Sequence, residues 1–285
     1  MGALLQYLVT GVGIGCGYAL VGSGLVVIHR VTRVVNFAQG AFAVVAALTV
    51  STLLTAGLPH GAAESLAVLL AGVVGLITGA VAIGRPGTTP QAALVVTLGL
   101  GVFAYAVEIL AWGDQPRSFG GVPGSVPLGD ARLQSHYLLI IGVTAVVLAG
   151  LALLFARTDV GRALTATAAN PYAARVVGIG VTRMGLIAFA LGGMLGGLAG
   201  VLLTPVHQVS FDSDVVLVVN GFAAAILGNL SRPVLTLVGG LLLGVVEVLV
   251  AGYLNSSYQT EVALVFMLAV LIVRAGRHPA AVEAS

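Results

Sequence analysis

The chain has 285 residues, of which 59% are hydrophobic and 8% are charged, with a formal net charge of +2 and a mean hydropathy of +1.11. Soluble globular domains carry about 25% charged residues, so this composition excludes an ordinary soluble globule. It indicates an integral membrane protein instead.

The first apolar run spans Leu4–Ile28. No basic segment precedes it, and further apolar runs follow, so we interpret it as a retained helix rather than a cleaved signal peptide. Its Cys16 is the only cysteine of the chain, which excludes a disulfide framework and a thiolate metal cluster.

The second run, Val34–Ala63, opens with the pentapeptide Asn-Phe-Ala-Gln-Gly just after Arg33. Asn36, Gln39 and Gly40 of this motif lie where amide side chains would line a cavity or cap a broken helix. Two alternatives therefore stand for residues 34–55, a full membrane span and an interrupted one.

The remaining apolar runs are each long enough for a membrane helix or nearly so, since a span needs about 20 residues. They are Ser65–Gly84, Pro86–Val107, Leu133–Ala156, Met184–Phe211 and, after Asp214, the segments Val215–Leu230, Val234–Leu254 and Thr260–Val273. The runs are continuous rather than alternating, which favours helices over a β-barrel. We expect an all-α, polytopic membrane bundle of about 8–9 helices, forming one domain over residues 1–285.

Two polar segments interrupt these runs. Trp112–Ser135 is rich in proline and glycine, and it would contact a delivery protein, cover a pore mouth or serve as a passive connector. Arg157–Arg183 contains four arginines and a short capped helix. Asn170 is a preferred helix N-cap, Pro171 suits the first helical position, and Gly178 suits a left-handed C-terminal residue.

The short helix of this segment would hold about two turns, and helices shorter than roughly 12 residues are marginal in water. It therefore needs support, either from a cytoplasmic partner or from the membrane interface.

The arginines predict the orientation. All twelve basic residues are arginines, and alternating spans put ten of them on the side of Arg157–Arg183 and only Arg117 and Arg132 on the other. The positive-inside rule then places residues 157–183 and the C-terminus in the cytoplasm, with the N-terminus and residues 112–135 outside.

Small residues recur every four positions in three of the predicted helices, at Gly75/Gly79, Gly192/Gly196/Gly200 and Gly240/Gly244. Such repeats let helix backbones approach closely. We weigh this packing role against a gating role.

Polar side chains within the apolar runs are candidates for a transport pathway, because they are costly in hydrocarbon. Glu247 lies midway along its run and Glu108 nearer an outer end, and no lysine or histidine lies at a similar depth. For Glu247 a pathway role and a structural helix-helix hydrogen bond both remain open. Thr97, and Asn220 near Phe222, are further candidates.

Lysine is absent from the sequence, which excludes a Walker A loop and lysine-based catalysis. The five histidines are scattered, with no metal-binding spacing. We therefore expect no enzymatic activity, no metal site and no cofactor on this chain.

Several short motifs resemble the inner-membrane permeases of bacterial branched-chain (hydrophobic) amino-acid ABC importers, over essentially the whole chain. They are Gly17-Tyr18-Ala19-Leu20, Asn36-Phe37-Ala38-Gln39-Gly40, Thr97-Leu98-Gly99, Thr158 with Gly161-Arg162-Ala163-Leu164, Asn170 with Ala173-Ala174 and Gly178-Ile179, Phe222-Ala223-Ala224-Ala225-Ile226-Leu227-Gly228, and the glycine-rich helix that ends in Glu247.

The resemblance implies that Ala173, Ala174 and Gly178 belong to a coupling helix seated on an ATPase subunit, with Tyr172 where many relatives have glutamate. Arg175 and Arg183 would engage acidic groups or lipid phosphates. Gln39 stands where the family pattern has histidine, so the solute would be a branched-chain or related small amino acid, or a short amide or urea.

The partners implied by the resemblance are a second homologous permease in a hetero- or homodimer, two ATPase subunits that carry ATP and Mg²⁺, an extracytoplasmic solute-binding protein and membrane lipid, but no nucleic acid. The implied location is the bacterial inner membrane. A self-contained secondary transporter or channel is the alternative, but it would need an inverted repeat and an ion-binding cluster. A membrane-embedded enzyme would need a convergent nucleophile and base.

Overall fold

The computed structural model describes residues 2–85, 87–128, 131–228, 230, 233–254 and 259–277. Within these ranges lie eleven helices and one antiparallel hairpin of two strands. In chain order they are α1 Gly2–Thr32, α2 Gln39–Thr55, α3 Ala62–Ile83, α4 Pro90–Trp112, β1 Ser125–Leu128, β2 Ala131–Gln134, α5 Ser135–Arg157, α6 Asp159–Ala169, α7 Pro171–Val176, α8 Val181–Leu203, α9 Ser213–Leu227, α10 Pro233–Tyr253 and α11 Gln259–Arg277.

Six helices are long and apolar enough to cross a membrane, namely α1, α3, α4, α5, α8 and α10. Three shorter apolar helices accompany them, at Gln39–Thr55, Ser213–Leu227 and Glu261–Val273. Every predicted apolar segment thus contains a helix in the structure, and the polytopic helical fold is confirmed. The number of helices that cross the bilayer stays a prediction.

Helix α1 forms the centre of the bundle. Of the 18 most apolar consecutive residues of α1, 94% are buried, whereas the corresponding fraction is 17% for α5, which lies at the periphery. Glycines on α1 meet glycines on α10, where a Cβ added at Gly15 would come within 2.5 Å of the Gly240 carbonyl oxygen. A Cβ added at Gly11 would come within 2.6 Å of the Val245 Cα. The two backbones are therefore in direct contact along this seam.

The glycines of α8 face three neighbouring helices. A Cβ added at Gly192 would lie 2.5 Å from Ile28 Cδ1 on α1, and one at Gly196 would lie 2.9 Å from Gln39 Nε2 on α2. On α3, a Cβ added at Gly75 would lie 3.0 Å from the Gly193 Cα. The repeat therefore serves close helix packing, which is the first of the two roles weighed from the sequence.

Helix α2 begins five residues after the start of its apolar run, Val34–Ala63. Residues 33–36 lie outside any helix, and Arg33 has a left-handed φ of 62°. The Asn36 side chain accepts a hydrogen bond from the Ala38 amide at 3.2 Å, a local contact that competes with helix formation. Helix α2 therefore has 17 residues, and the start of the apolar run lies outside it.

The two polar segments are more ordered than predicted. Residues 112–135, expected as a loop, contain the hairpin β1–β2, in which Val126 pairs with Leu133. Residues 157–183 contain α6 in addition to the predicted short helix. Thr158 caps α6 by accepting a hydrogen bond from the Gly161 amide at 3.0 Å.

These segments lie at opposite ends of the bundle, because the single helix α5 separates them. The α6 end also contains the α1–α2 connection, where Arg33 donates to the Ala168 carbonyl at 3.0 Å. The hairpin end also contains the α8–α9 connection, where the Arg117 and Val209 backbones exchange hydrogen bonds of 2.8 and 2.9 Å.

Candidate functional site

The short helix at the α6 end forms as the sequence predicted. Asn170 Oδ1 accepts hydrogen bonds from the amides of Tyr172 and Ala173 at 3.0 and 3.1 Å. Pro171 occupies the first turn, where its missing amide hydrogen costs nothing. Gly178 has a φ of 86°, a conformation that other residues adopt only with strain. Both ends of α7 are therefore fixed by local interactions.

The two faces of α7 differ in exposure. Ala174 is 3% exposed and rests on the chain's own bundle, while Tyr172, Val176 and Val177 are 77%, 73% and 74% exposed. The last three form a compact apolar surface at the end of the molecule, which we call the α7 patch. An exposed apolar cluster of this kind is typical of an interaction site.

The sequence analysis assigned partner contact to Ala173, Ala174 and Gly178, with Arg175 and Ile179 beside them. In the structure Ala173, Arg175 and Gly178 are exposed, Ile179 is half-buried, and only Ala174 is buried within the chain. Val176 and Val177 were not identified. Two valines at the end of a helix of six residues were the available signal, because so short a helix has little surface of its own to bury.

The Asn-Phe-Ala-Gln-Gly motif forms a buried polar network inside the helix bundle. Asn36 Nδ2 donates to Gln39 Oε1 at 3.3 Å, and Gln39 Nε2 donates to the Gly192 carbonyl on α8 at 2.8 Å. Both side chains are fully buried. They connect α2 to α8, and the structure places neither of them in the wall of the cavities described below.

The same motif shapes a neighbouring cleft. The Phe37 amide donates to Thr97 Oγ1 on α4 at 3.3 Å, and the Phe37 ring lies 6.3 Å from that of Phe222 on α9. Gly40 permits close approach of α9, because a Cβ at this position would lie 2.9 Å from the Asp214 Cα.

The cleft has a volume of about 400 Å³ and lies between α4, α9 and α11. Its lining consists of Phe37, Leu98, Gly101, Val102, Asp214, Val215, Val218, Val219, Phe222, Leu264 and Met267. All of these residues except Asp214 are uncharged and apolar. We call this space the α4–α9 cleft.

Glu247 belongs to a second polar group. The Tyr18 hydroxyl on α1 donates to Glu247 Oε1 at 3.1 Å, and the Asn220 side chain on α9 lies beside the same hydroxyl. Glu247 is 5% exposed, and its Oε2 has no hydrogen-bond partner within the described part of the chain. It lies in the wall of a separate cavity of about 230 Å³ under the α8–α9 connection.

The predicted pathway residues therefore fall into separate groups. Thr97 and Phe222 belong with the α4–α9 cleft, whereas Asn220 and Glu247 meet Tyr18 on the other side of α9. The sequence analysis sought a lysine or histidine partner for Glu247 and missed Tyr18. In the parts of the chain that the structure describes, no three His, Cys, Asp or Glu side chains come together as metal ligands.

Comparison with known proteins adds the family. Residues 7–275 match the model of the branched-chain amino acid transport system permease component. The high-affinity branched-chain amino acid transport system permease protein LivH of Salmonella typhimurium is 27% identical, with 94% of this chain and 93% of the relative covered. The corresponding protein BraD of Pseudomonas aeruginosa is 26% identical, with 95% and 94% covered.

Among solved structures, the chain resembles PsaBC from Streptococcus pneumoniae in complex with Fab. The TM-score is 0.52 at 14% identity, over 94% of this chain and 90% of that one. At this identity the likeness concerns the fold alone.

Proposed function

Because the chain belongs to the family of branched-chain amino acid transport system permease components, which its residues 7–275 match, we propose that it moves branched-chain or related small amino acids across the membrane as the permease of an ABC importer. It is a multi-pass protein of the bacterial inner membrane, consistent with its six helices of spanning length. The observation that carries the proposal is the family match over residues 7–275. An exposed apolar patch on a capped helix at one end of the bundle supports it.

The proposed assembly contains a second homologous permease, two ATPase subunits and an extracytoplasmic solute-binding protein. ATP and Mg²⁺ belong to the ATPase subunits, and this chain performs no catalysis and holds no cofactor. The absence of lysine supports this division, because a P-loop requires one.

We place the α6 end in the cytoplasm and the hairpin end outside, with nine spans, an external N-terminus and a cytoplasmic C-terminus. The arginine contacts support this orientation, since Arg33 bonds to α6 and Arg30 lies 5.6 Å over the Phe155 ring near the same end. Arg117 lies at the hairpin end. Arg232, which the sequence analysis also counted as cytoplasmic, lies outside the described residues.

The α7 patch is the proposed contact with the ATPase subunit. The small side chain of Ala174 lets α7 pack closely against the rest of this chain. A movement of the α7 patch would therefore be transmitted to α6 and α8. Tyr172, Val176 and Val177 provide the apolar surface that a groove on the partner would bury.

We propose that the α4–α9 cleft forms one half of the translocation pathway. Val102 and Val215 in its wall are 72% and 60% exposed, so the cleft is open on one side of this chain. A second permease facing it would close the space into a channel between the two subunits.

Reconstitution tests the proposal. The chain is placed in proteoliposomes with its partner permease, ATPases and binding protein, and uptake of L-leucine is measured with ATP and without it. We expect uptake that depends on ATP. Equal uptake by the permease alone would support a self-contained secondary transporter and contradict the proposal.

A further inference from the structure

The α4–α9 cleft contains one carboxylate, Asp214, in the first turn of α9 at the hairpin end. A second carboxylate, Glu108 of α4, is fully buried close enough for the charge of Asp214 to act on it. The charge of the exposed Asp212 also acts on Asp214. Acidic side chains therefore lie together at the hairpin end of an otherwise apolar cleft.

These carboxylates lack cationic partners within the described ranges. The ion pairs found there are His60–Glu64 and Arg162–Asp159, and neither pair includes Glu108 or Asp214. Both oxygens of Glu108 are buried, and neither has a hydrogen-bond partner among the residues that the structure describes. A buried carboxylate without compensation is costly, so a ligand that brought positive charge would be favoured at this place.

Asp214 is held in position by the rest of the chain. Its Oδ1 accepts a hydrogen bond from the Val215 amide at 2.6 Å. The α9 backbone behind it rests on Gly40, where any side chain would collide with it. The N-terminal end of α9 also favours a negative charge at this residue. A carboxylate is thus fixed in position at one end of the cleft.

We propose that Asp214, with Glu108 behind it, binds the ammonium group of the transported solute while the apolar wall of the α4–α9 cleft accepts its side chain. This inference rests on the proposed function and narrows its substrate class to amino acids with an apolar side chain. Short amides and urea carry neither the positive charge nor the apolar group that the cleft complements. Asp214 and Glu108 are then specificity-determining residues.

Thiol protection in the complete importer tests the inference without requiring uptake. In a Cys16→Ala background, Val219→Cys places the one thiol of this chain in the cleft wall, and the label on this chain is measured after the subunits are separated. The rate of its reaction with a membrane-permeant maleimide is measured with L-leucine, with isopentylamine, which lacks the carboxylate, and with 4-methylpentanoate, which lacks the ammonium group.

We expect leucine and isopentylamine to slow labelling and 4-methylpentanoate to leave it unchanged. Asp214→Asn keeps the acceptor for the Val215 amide but loses the charge, and it should raise the leucine concentration for half-protection about tenfold, as removal of a charge-assisted hydrogen bond does. Glu108→Gln should weaken protection in the same direction. Asp114→Asn is the matched control, an exposed carboxylate outside the cleft, and should retain protection.

The inference is overturned if leucine does not protect the thiol, if 4-methylpentanoate protects as well as isopentylamine, or if Asp214→Asn protects like the parent. Retained ATPase subunits on purification show that each variant is assembled. Because labelling requires no ATP, a failure of leucine uptake would count against the proposed function, whereas a failure of the protection pattern counts against the cleft site.

Discussion

Removal of the apolar side chains of the α7 patch should detach the ATPase subunits while leaving the permease folded. Burying a fully exposed valine side chain contributes about 1.5–3 kcal/mol. Val176 and Val177 are 73% and 74% exposed, so burial of the pair against a partner contributes about 2–4 kcal/mol. The double variant Val176→Ser/Val177→Ser should therefore weaken ATPase binding by about 30- to 1000-fold.

The assay is a titration of the reconstituted permease with its ATPase subunits, followed by ATP-driven leucine uptake. Val160→Ser is the matched control, since Val160 lies on the neighbouring α6 and is 43% exposed but lies outside the patch. We expect the control to bind like the parent. Parental affinity in the double variant would refute the reasoning and leave α7 as an interfacial connector.

Further predictions concern the interior and the orientation. Tyr18→Phe leaves Glu247 Oε1 unpaired and should lower the free energy of unfolding by about 1–3 kcal/mol, as measured by thermal unfolding. If the two side chains are coupled, Tyr18→Phe should cost less in a Glu247→Gln background than in the parent. An equal cost in both backgrounds would exclude the coupling. Gly244→Val should prevent α1 and α10 from meeting, at a cost of about 3 kcal/mol or more, and so abolish recovery of folded protein. Gly99→Val, where an added Cβ meets no atom within 4 Å, should be recovered normally. A cysteine at Gly120 should react with an impermeant maleimide from outside the cell, and reaction only from the cytoplasm would contradict the proposed orientation.

Local signals made α7 predictable in detail. Its N-cap, its first-turn proline and its C-terminal glycine act within a few residues of one another, so the sequence contains the whole interaction. The apolar segments were found for a similar reason, since each helix forms its own backbone hydrogen bonds in a membrane. Helix α6 was missed because Thr158 and Gly161 were considered only as part of a family motif.

Contacts between segments that are distant along the chain could not be predicted from the sequence. Tyr18 and Glu247 are 229 residues apart, and nothing in either segment indicates the other. Asp214 was considered only as a boundary between apolar runs, because its place in a cleft depends on how α4 and α9 pack. The burial of Ala174 likewise depends on how α7 packs against the rest of the bundle, which its local sequence does not indicate.

The buried start of α2 has a consequence for how the protein is made. A polar, partly non-helical stretch at membrane depth is tolerated only where protein surrounds it. The carbonyl that satisfies Gln39 belongs to Gly192, which is synthesised 153 residues later. Nascent chains released before α8 therefore leave this amide without its partner, and α2 reaches its final place only after most of the polypeptide has left the ribosome.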